Sequence, residues 1–253
     1  MKITFLGTGT SQGVPLIGCS CEVCTSTDLH DKRLRSSVLI ESQNKVFVID
    51  TGPDFRQQML RENVKQLDAV IFTHEHKDHL AGFDDIRAFN YLTKKPMEVY
   101  ATQNVVNAIK REFPYIFEKI KYPGVPEINL HLIDEKPFEI EGIKFIPIQV
   151  MHHKLPVFGY RVGDFTYITD ANFISDEEKK KVFGTKVLVL NALRKETHIS
   201  HFTFDEAIQL AKYFNADKTF FTHISHQLGL HKNLEKELPE NIHLAFDGLK
   251  IEI

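Results

Sequence analysis

Residues Thr73-His74-Glu75-His76-Lys77-Asp78-His79 put three histidines and an aspartate within six positions, His74 to His79. They follow Leu67-Asp68-Ala69-Val70-Ile71-Phe72, a short and nearly continuous apolar run with β-branched residues. That is the pattern of a strand buried on both faces, which holds whatever follows it rigidly. Alternate residues of extended chain project the same way, so His74 and His76 can grip one ion while Asp78 and His79 point elsewhere. The divergence suits a second ion roughly 3.5–4 Å away, the separation found in paired sites that hydrolyse phosphoesters. Beyond the cluster, residues 80–92 carry Phe83, Ile86, Phe89 and Leu92 at helical spacing.

Upstream, residues 2–6 read as a strand, followed by the glycine loop Gly7-Thr8-Gly9-Thr10-Ser11-Gln12-Gly13. Its G-x-G-x-x-x-G spacing misses the dinucleotide fingerprint by one residue and no helix follows, so it reads as a tight turn beside an active site. Strands at 37–41 and 45–50 form a hairpin around Ser42-Gln43-Asn44, and Thr51-Gly52-Pro53 opens a helix carrying Phe55, Met59 and Leu60. Downstream, the pattern predicts a strand at 98–101, a helix at 105–113, a run of strands from 130 to 170, and a helix at 175–183. A strand at 186–190, a helix at 203–214 and a strand at 218–222 come next. After a short helix, a closing hairpin turns at Asp247-Gly248. Glu177 to Lys181 mixes both signs, a solvated helix face. Without repeat, linker or composition break, the expectation is one domain over 1–253, with two β-rich halves and helices outside.

The 253 residues are 42% hydrophobic, enough for a large core. Lys plus Arg at 31 against Asp plus Glu at 34 leaves a net charge of −3, so no global positive field draws the chain to nucleic acid or an anionic membrane. No apolar run approaches the roughly 18 residues of a membrane span, and residues 1–7 end before a signal-peptide core can form. A soluble, cytoplasmic protein is expected. Histidine is abundant, 13 residues against no Trp, which suggests metal chemistry. Cys19, Cys21 and Cys24 are the 3 cysteines, an odd number in one loop, so no pairwise disulfide framework is available. They can converge on one zinc ion that takes its fourth ligand from a distant histidine. Four protein ligands close the shell, making such a site structural.

The pattern T-H-x-H-x-D-H at Thr73 to His79 resembles the signature of the metallo-β-lactamase superfamily, and the likeness extends over the whole chain. It implies a four-layer αββα sandwich of two mixed β-sheets flanked by helices. The superfamily's later ligands look like His153 before Phe158-Gly159-Tyr160, Asp170 ending Tyr167-Ile168-Thr169-Asp170, and His223 in Phe221-Thr222-His223. Asp50 matches an early aspartate that stands behind the ligands. Position 152 is also histidine. His153 is preferred because it preserves the spacing to Gly159, with His152 the alternative, facing the other way. Within the superfamily, Cys19-x-Cys21-x-x-Cys24 together with Thr222-His223-Ile224-Ser225-His226-Gln227 is similar to the PhnP-type phosphodiesterases, and Gly9-x-x-Gln12-Gly13-Val14-Pro15 and Phe246-Asp247-Gly248 agree. The resemblance implies that His226 completes the structural zinc site while His223 serves a catalytic metal. His201, ahead of Phe202-Thr203-Phe204-Asp205, then matches a histidine that binds no metal and faces the scissile phosphate. His198 and His231 read as surface histidines, Arg33, Arg35 and Lys154 as surface charge, and Asp247 as a turn residue.

The implied centre holds one ion with His74, His76 and His153 and a second with Asp78, His79 and His223, Asp170 bridging both. A water between two such ions, its pKa lowered from 15.7 to about 7, would attack a small cyclic or linear phosphodiester. His201 would protonate the leaving oxygen. The ligand set admits zinc, manganese or iron; the resemblance favours manganese at the catalytic pair and zinc at the cysteines, and is compatible with a homodimer. Two rivals share these residues. A ribonuclease Z-like RNA 3′ processing enzyme would be expected to carry a long basic insertion, and none is present. A non-catalytic metal carrier would not need His201 beside a full ligand set.

Overall fold

The structure, a computed structural model, describes residues 1–253. Strand alternation divides the apolar residues among three cores. In β1 (Lys2–Gly7), β2 (Ser37–Ser42), β3 (Lys45–Ile49) and β4 (Ala69–Ile71), the residues Ile3, Phe5, Val38, Ile40, Phe47, Ile49, Ala69 and Ile71 enter one core. Their neighbours Leu6, Leu39, Val48 and Val70 enter another on the opposite face. The same happens in β12 (Val187–Asn191), where Val187 and Val189 face the shared core and Leu188 and Leu190 face away. Two-faced burial of this kind requires a layer on each side of each sheet.

The first sheet has the order β15-β1-β2-β3-β4-β5-β6, with β5 (Met97–Ala101), β6 (Ile128–Leu132) and β15 (Lys250–Glu252). The second has the order β11-β8-β9-β10-β12-β13-β14, built from β8 (Ile143–His152), β9 (Leu155–Val162), β10 (Phe165–Tyr167), β11 (Phe173–Ile174), β12, β13 (Lys218–Thr222) and β14 (Ile242–Leu244). A short β7 (Phe138–Ile140) pairs with β8. In both sheets antiparallel and parallel pairs coexist: β1-β2-β3 and β8-β9-β10 run antiparallel, whereas β3-β4-β5-β6 and β10-β12-β13-β14 run parallel. On the outer face of the first sheet lie α2 (Phe55–Arg61), α3 (Lys77–Leu80), α4 (Arg87–Thr93) and α5 (Gln103–Glu112). On that of the second lie α6 (Asp176–Val182), α7 (Phe204–Phe214) and α8 (His231–Leu234). This is the expected αββα sandwich. The small α1 (Glu22–Thr25) sits in the cysteine loop.

Two local expectations are corrected. Residues 80–92 do not form one helix: α3 stops at Leu80, a 3-10 turn spans Phe83–Ile86, and α4 follows. The interruption is where the chain docks, since the Gly82 N–H donates to Thr51 O at 2.8 Å. The segments around Asp247-Gly248 are not a hairpin either. β14 pairs with β13 in the second sheet and β15 with β1 in the first, so the turn carries the chain from one sheet to the other. A strand pattern flanking Asp-Gly looks the same in both cases; only the available sheet edges tell them apart.

Candidate metal centre

The predicted site residues gather where strands end. β4 delivers Thr73 to His79 at its carboxyl end, Asp50 follows β3, Asp170 follows β10 and His223 follows β13. Asp50, Asp170 and His223 each adopt left-handed backbone, with φ of 67°, 56° and 56°. For a non-glycine residue that conformation is uncommon and persists where the surrounding structure dictates it. Here it turns three side chains sharply off their strands into one cleft.

Two ligand groups result. His74, His76 and His152 form one, and Asp78, His79, Asp170 and His223 the other, with donor atoms within 4.8 Å of one another in each. His153 does not take part. β8 continues through His152, whose partner across the ladder is Leu155, so His153 occupies the tip of the β8–β9 hairpin with φ of 58° and is exposed. Its N–H donates to Asn172 Oδ1 at 2.8 Å. Spacing to Gly159 points to His153, but one residue along a strand reverses the facing direction, and it is His152 that faces the centre.

Asp170 stands between the groups. Its Oδ1 lies 3.1 Å from His223 Nδ1 and 3.4 Å from His79 Nε2, while Oδ2 lies 3.9 Å from His74 Nε2. Four histidines have one ring nitrogen held from behind. Asp50 Oδ2 is 2.7 Å from His79 Nδ1, Thr73 Oγ1 is 2.9 Å from His74 Nδ1, Ser200 O is 2.9 Å from His152 Nδ1, and Thr10 Oγ1 is 3.3 Å from His223 Nε2. Asp50 also accepts from Thr73 N–H and Thr73 Oγ1–H at 2.9 and 2.8 Å. The inward nitrogens His74 Nε2, His79 Nε2 and His223 Nδ1 are buried with no hydrogen-bond partner. A buried unpaired nitrogen is costly, and a rear hydrogen bond that fixes ring orientation is the usual companion of a metal-ligating histidine, so the donor set fits divalent cations.

The electrostatics agree. Burial pushes the His74 imidazole well below its ordinary value and His223 down to about 4, keeping both in the neutral form that donates a lone pair. Burial opposes a charged His79 too, but the carboxylates of Asp78, Asp170 and Asp50 outweigh it and push that pKa well up. Three acidic groups around one imidazole amount to a negative cavity in want of cations.

His201 belongs to neither of these two groups but clusters with a member of each, its donor nitrogen within 4.8 Å of the donor atoms of His152 and Asp170, with Nε2 3.4 Å from Asp170 Oδ2 and its ring stacked 4.9 Å from that of His223. Cys19, Cys21, Cys24 and His226 converge separately, also within 4.8 Å, with His226 Nδ1 3.5 Å from Cys19 Sγ and 3.3 Å from Cys21 Sγ. Hydrogen bonding to His226 lowers the Cys21 thiol to about 6, while burial raises Cys24 to about 11. Two residues between His223 and His226 thus separate the two sites.

Arg33 and His231, read as surface groups, and Asp247, read as a turn residue, turn inward. Arg33 is buried, its Nη1 donating to Thr8 Oγ1 at 2.8 Å and its Nη2 3.1 Å from His231 Nδ1, so His231 is an interior residue too. The Asp247 side chain is buried as well, accepting from Thr8 Oγ1–H and the Leu34 N–H. His198 Nδ1 is 3.1 Å from His201 Nδ1. The H-x-x-H spacing at 198–201 was the available signal for that pair. Arg35 is ion-paired with Asp54, and Lys154 is exposed on the hairpin tip.

The beta-lactamase superfamily domain profile matches residues 45–224. A solved structure described as a new diphosphatase from the PhnP family superposes with a TM-score of 0.94 at 41% identity, over 100% of this chain and 97% of that one. The chain belongs to the PhnP family. Membership places it in a metal-binding hydrolase superfamily. This PhnP-family chain is also 40% identical over 253 residues to a protein named octanoyltransferase from Porphyromonas gingivalis (strain ATCC BAA-308 / W83), the match covering 99% of this chain and 51% of that protein. It is 29% identical over 171 residues to a ribonuclease Z of Prochlorococcus marinus (strain AS9601), covering 65% of this chain and 50% of that protein. The chain therefore spans about half the length of the curated relatives it matches. No helix is long and apolar enough to cross a membrane.

Proposed function

We propose that the chain is a binuclear metal-dependent phosphodiesterase acting on a small cyclic or linear phosphodiester. The observation that carries this reading is the placement of Asp170, whose two oxygens face two different ligand groups with His201 beside one of them. His74, His76 and His152 would hold one divalent cation and Asp78, His79 and His223 the other, Asp170 shared. Bound there, the cations supply Lewis acidity and an activated water. The protein's own part is positional. Asp50 and Ser200 fix ring orientations from behind, and exposed His76 marks the open side by which a phosphate ester reaches the centre. His201, held at the floor by its contact to Asp170, gives its Nε2 proton to the leaving oxygen as the P–O bond breaks. Manganese or zinc suits the pair, and zinc suits the cysteine site.

The relatives differ in what their names say they act on, which sets the substrate panel. Hydrolysis of bis(p-nitrophenyl) phosphate is measured beside a phosphomonoester, a diphosphate, an RNA 3′ end and an octanoyl thioester. Each is assayed after metal removal and reconstitution with manganese or zinc. Diester turnover that disappears in Asp78→Ala is the expected result. Turnover confined to the thioester, or to none of the panel with metals bound, would overturn the proposal.

A further inference from the structure

His198 was not assigned any part in the site by its sequence, and its geometry is specific. Its Nδ1 lies 3.4 Å from the Ser200 backbone nitrogen, within hydrogen-bonding geometry, and 3.1 Å from His201 Nδ1. A backbone N–H can only donate, so His198 Nδ1 must be the bare, accepting nitrogen. Two bare nitrogens do not sit facing each other at this distance, so the proton between the rings belongs to His201 Nδ1. Ser200 Oγ, 3.2 Å from His198 Nδ1 and 3.1 Å from His201 Nδ1, fits the same assignment by accepting from the His201 Nδ1–H, its own hydrogen turned away from the single lone pair of His198 Nδ1.

The loop carrying the pair is anchored along its length. Arg194 donates to Thr197 O and to Gln227 Oε1, Asn172 Nδ2 donates to Ile199 O at 3.1 Å, and Ser200 O is bonded by His152 Nδ1 at 2.9 Å. His198 therefore meets His201 in one fixed pose while itself remaining only half-buried.

We infer that His198 is a positioning residue for the proton donor: by accepting the Nδ1–H of His201 it fixes that ring's orientation and leaves Nε2 as the only nitrogen that can serve the leaving group. This rests on the phosphodiesterase reading for its catalytic consequence, though not for the tautomer it assigns. In the step itself His201 starts as the imidazolium, protonated on both nitrogens; as the oxygen of the attacking water bonds to phosphorus the P–O bond to the leaving group breaks with its electron pair moving to that oxygen, the Nε2 proton passes to it, and His201 is left neutral with its Nδ1–H toward His198.

Two measurements test it. Long-range 1H–15N correlation spectra of histidine-labelled, zinc-loaded protein report which ring nitrogens carry protons. With His201 in its neutral form, the expected spectrum shows its one ring proton on Nδ1 and a bare Nδ1 on His198, a single tautomer that is lost in His198→Ala. A proton on His198 Nδ1, or a His201 tautomer unchanged by the substitution, overturns the inference. The second is a double-mutant cycle on two diesters with good and poor leaving groups. His198→Ala should cost about 10-fold with the poor leaving group and under about 2-fold with the good one, and nothing in a His201→Ala background, since general-acid catalysis is typically worth ~100-fold or more. His198→Asn, whose Oδ1 accepts the same proton, should recover most of the loss. Equal losses with both leaving groups, or the same loss without His201, would mark His198 as merely structural. A wild type that hydrolyses no phosphoric ester defeats the functional reading alone, because the spectra still decide the pair.

Discussion

His152 and His153 share a chemistry and differ only in which way they point. β8 ends at His152 with its ring bonded to Ser200 O, and His153 turns the hairpin in left-handed backbone. His152→Ala should therefore lose one of the two catalytic ions, read by elemental analysis of purified protein, whereas His153→Ala should keep the full complement. Loss of metal in the second variant and not in the first would reverse the assignment. Asp50 makes a subtler case. It touches no inward-facing ligand atom, yet takes three hydrogen bonds from Thr73 and His79. Removing it in Asp50→Ala leaves buried donors unpaired and frees the His79 ring, so metal affinity should fall by about 10–100-fold in a competition titration. An affinity within about twofold of wild type would show that Asp50 only supports the strand.

Between β3 and α2, Gly52 lies against the short helix that carries Asp78 and His79. A Cβ at Gly52 would stand 2.1 Å from the Asp78 carbonyl oxygen, and Gly82 packs as closely on Gly52 in return. Gly52→Ala must push α3 outward, taking both ligands with it. Overpacking of this kind costs about 1–3 kcal/mol, and the displacement should lower metal content as well as the denaturation midpoint. A stable variant with full metal content would mean that α3 can give way freely. Element boundaries explain what the sequence pattern could and could not convey. The helix at 203–214 stands where the sequence pattern puts it, and its start is fixed locally, by a capping box between Thr203 and Glu206. The break at Gly82 was not legible, because it depends on Thr51, thirty-one positions away in the chain.

Across the whole molecule, the buried Arg33 ties the glycine loop, the turn between the two sheets and α8 together through Thr8, Ala245 and His231. Burial and then the Arg33 charge hold His231 down to about 4 from an ordinary 6.5. The unfolded chain thus binds a proton that the folded one refuses, and stability falls as pH drops from about 6.5, the loss being complete near 4. His231→Gln should flatten that part of the pH dependence of the urea midpoint relative to wild type. An unchanged slope would mean the proton is accommodated elsewhere in the folded state.

The amino-acid sequence by itself determined the strand that presents Thr73 to His79, the alternation that builds two sheets, the cysteine loop, and most of the ligand set. All of these rest on spacing within a few residues and on the two periods of regular backbone. Only the tertiary structure decided that His152 faces the cleft, that Asp247 lies at a crossing between sheets, that Arg33 and His231 are interior, and that His198 stands behind His201. Each of those depends on which distant segment lies opposite, and a side chain's neighbour across space leaves no mark on its neighbours along the chain.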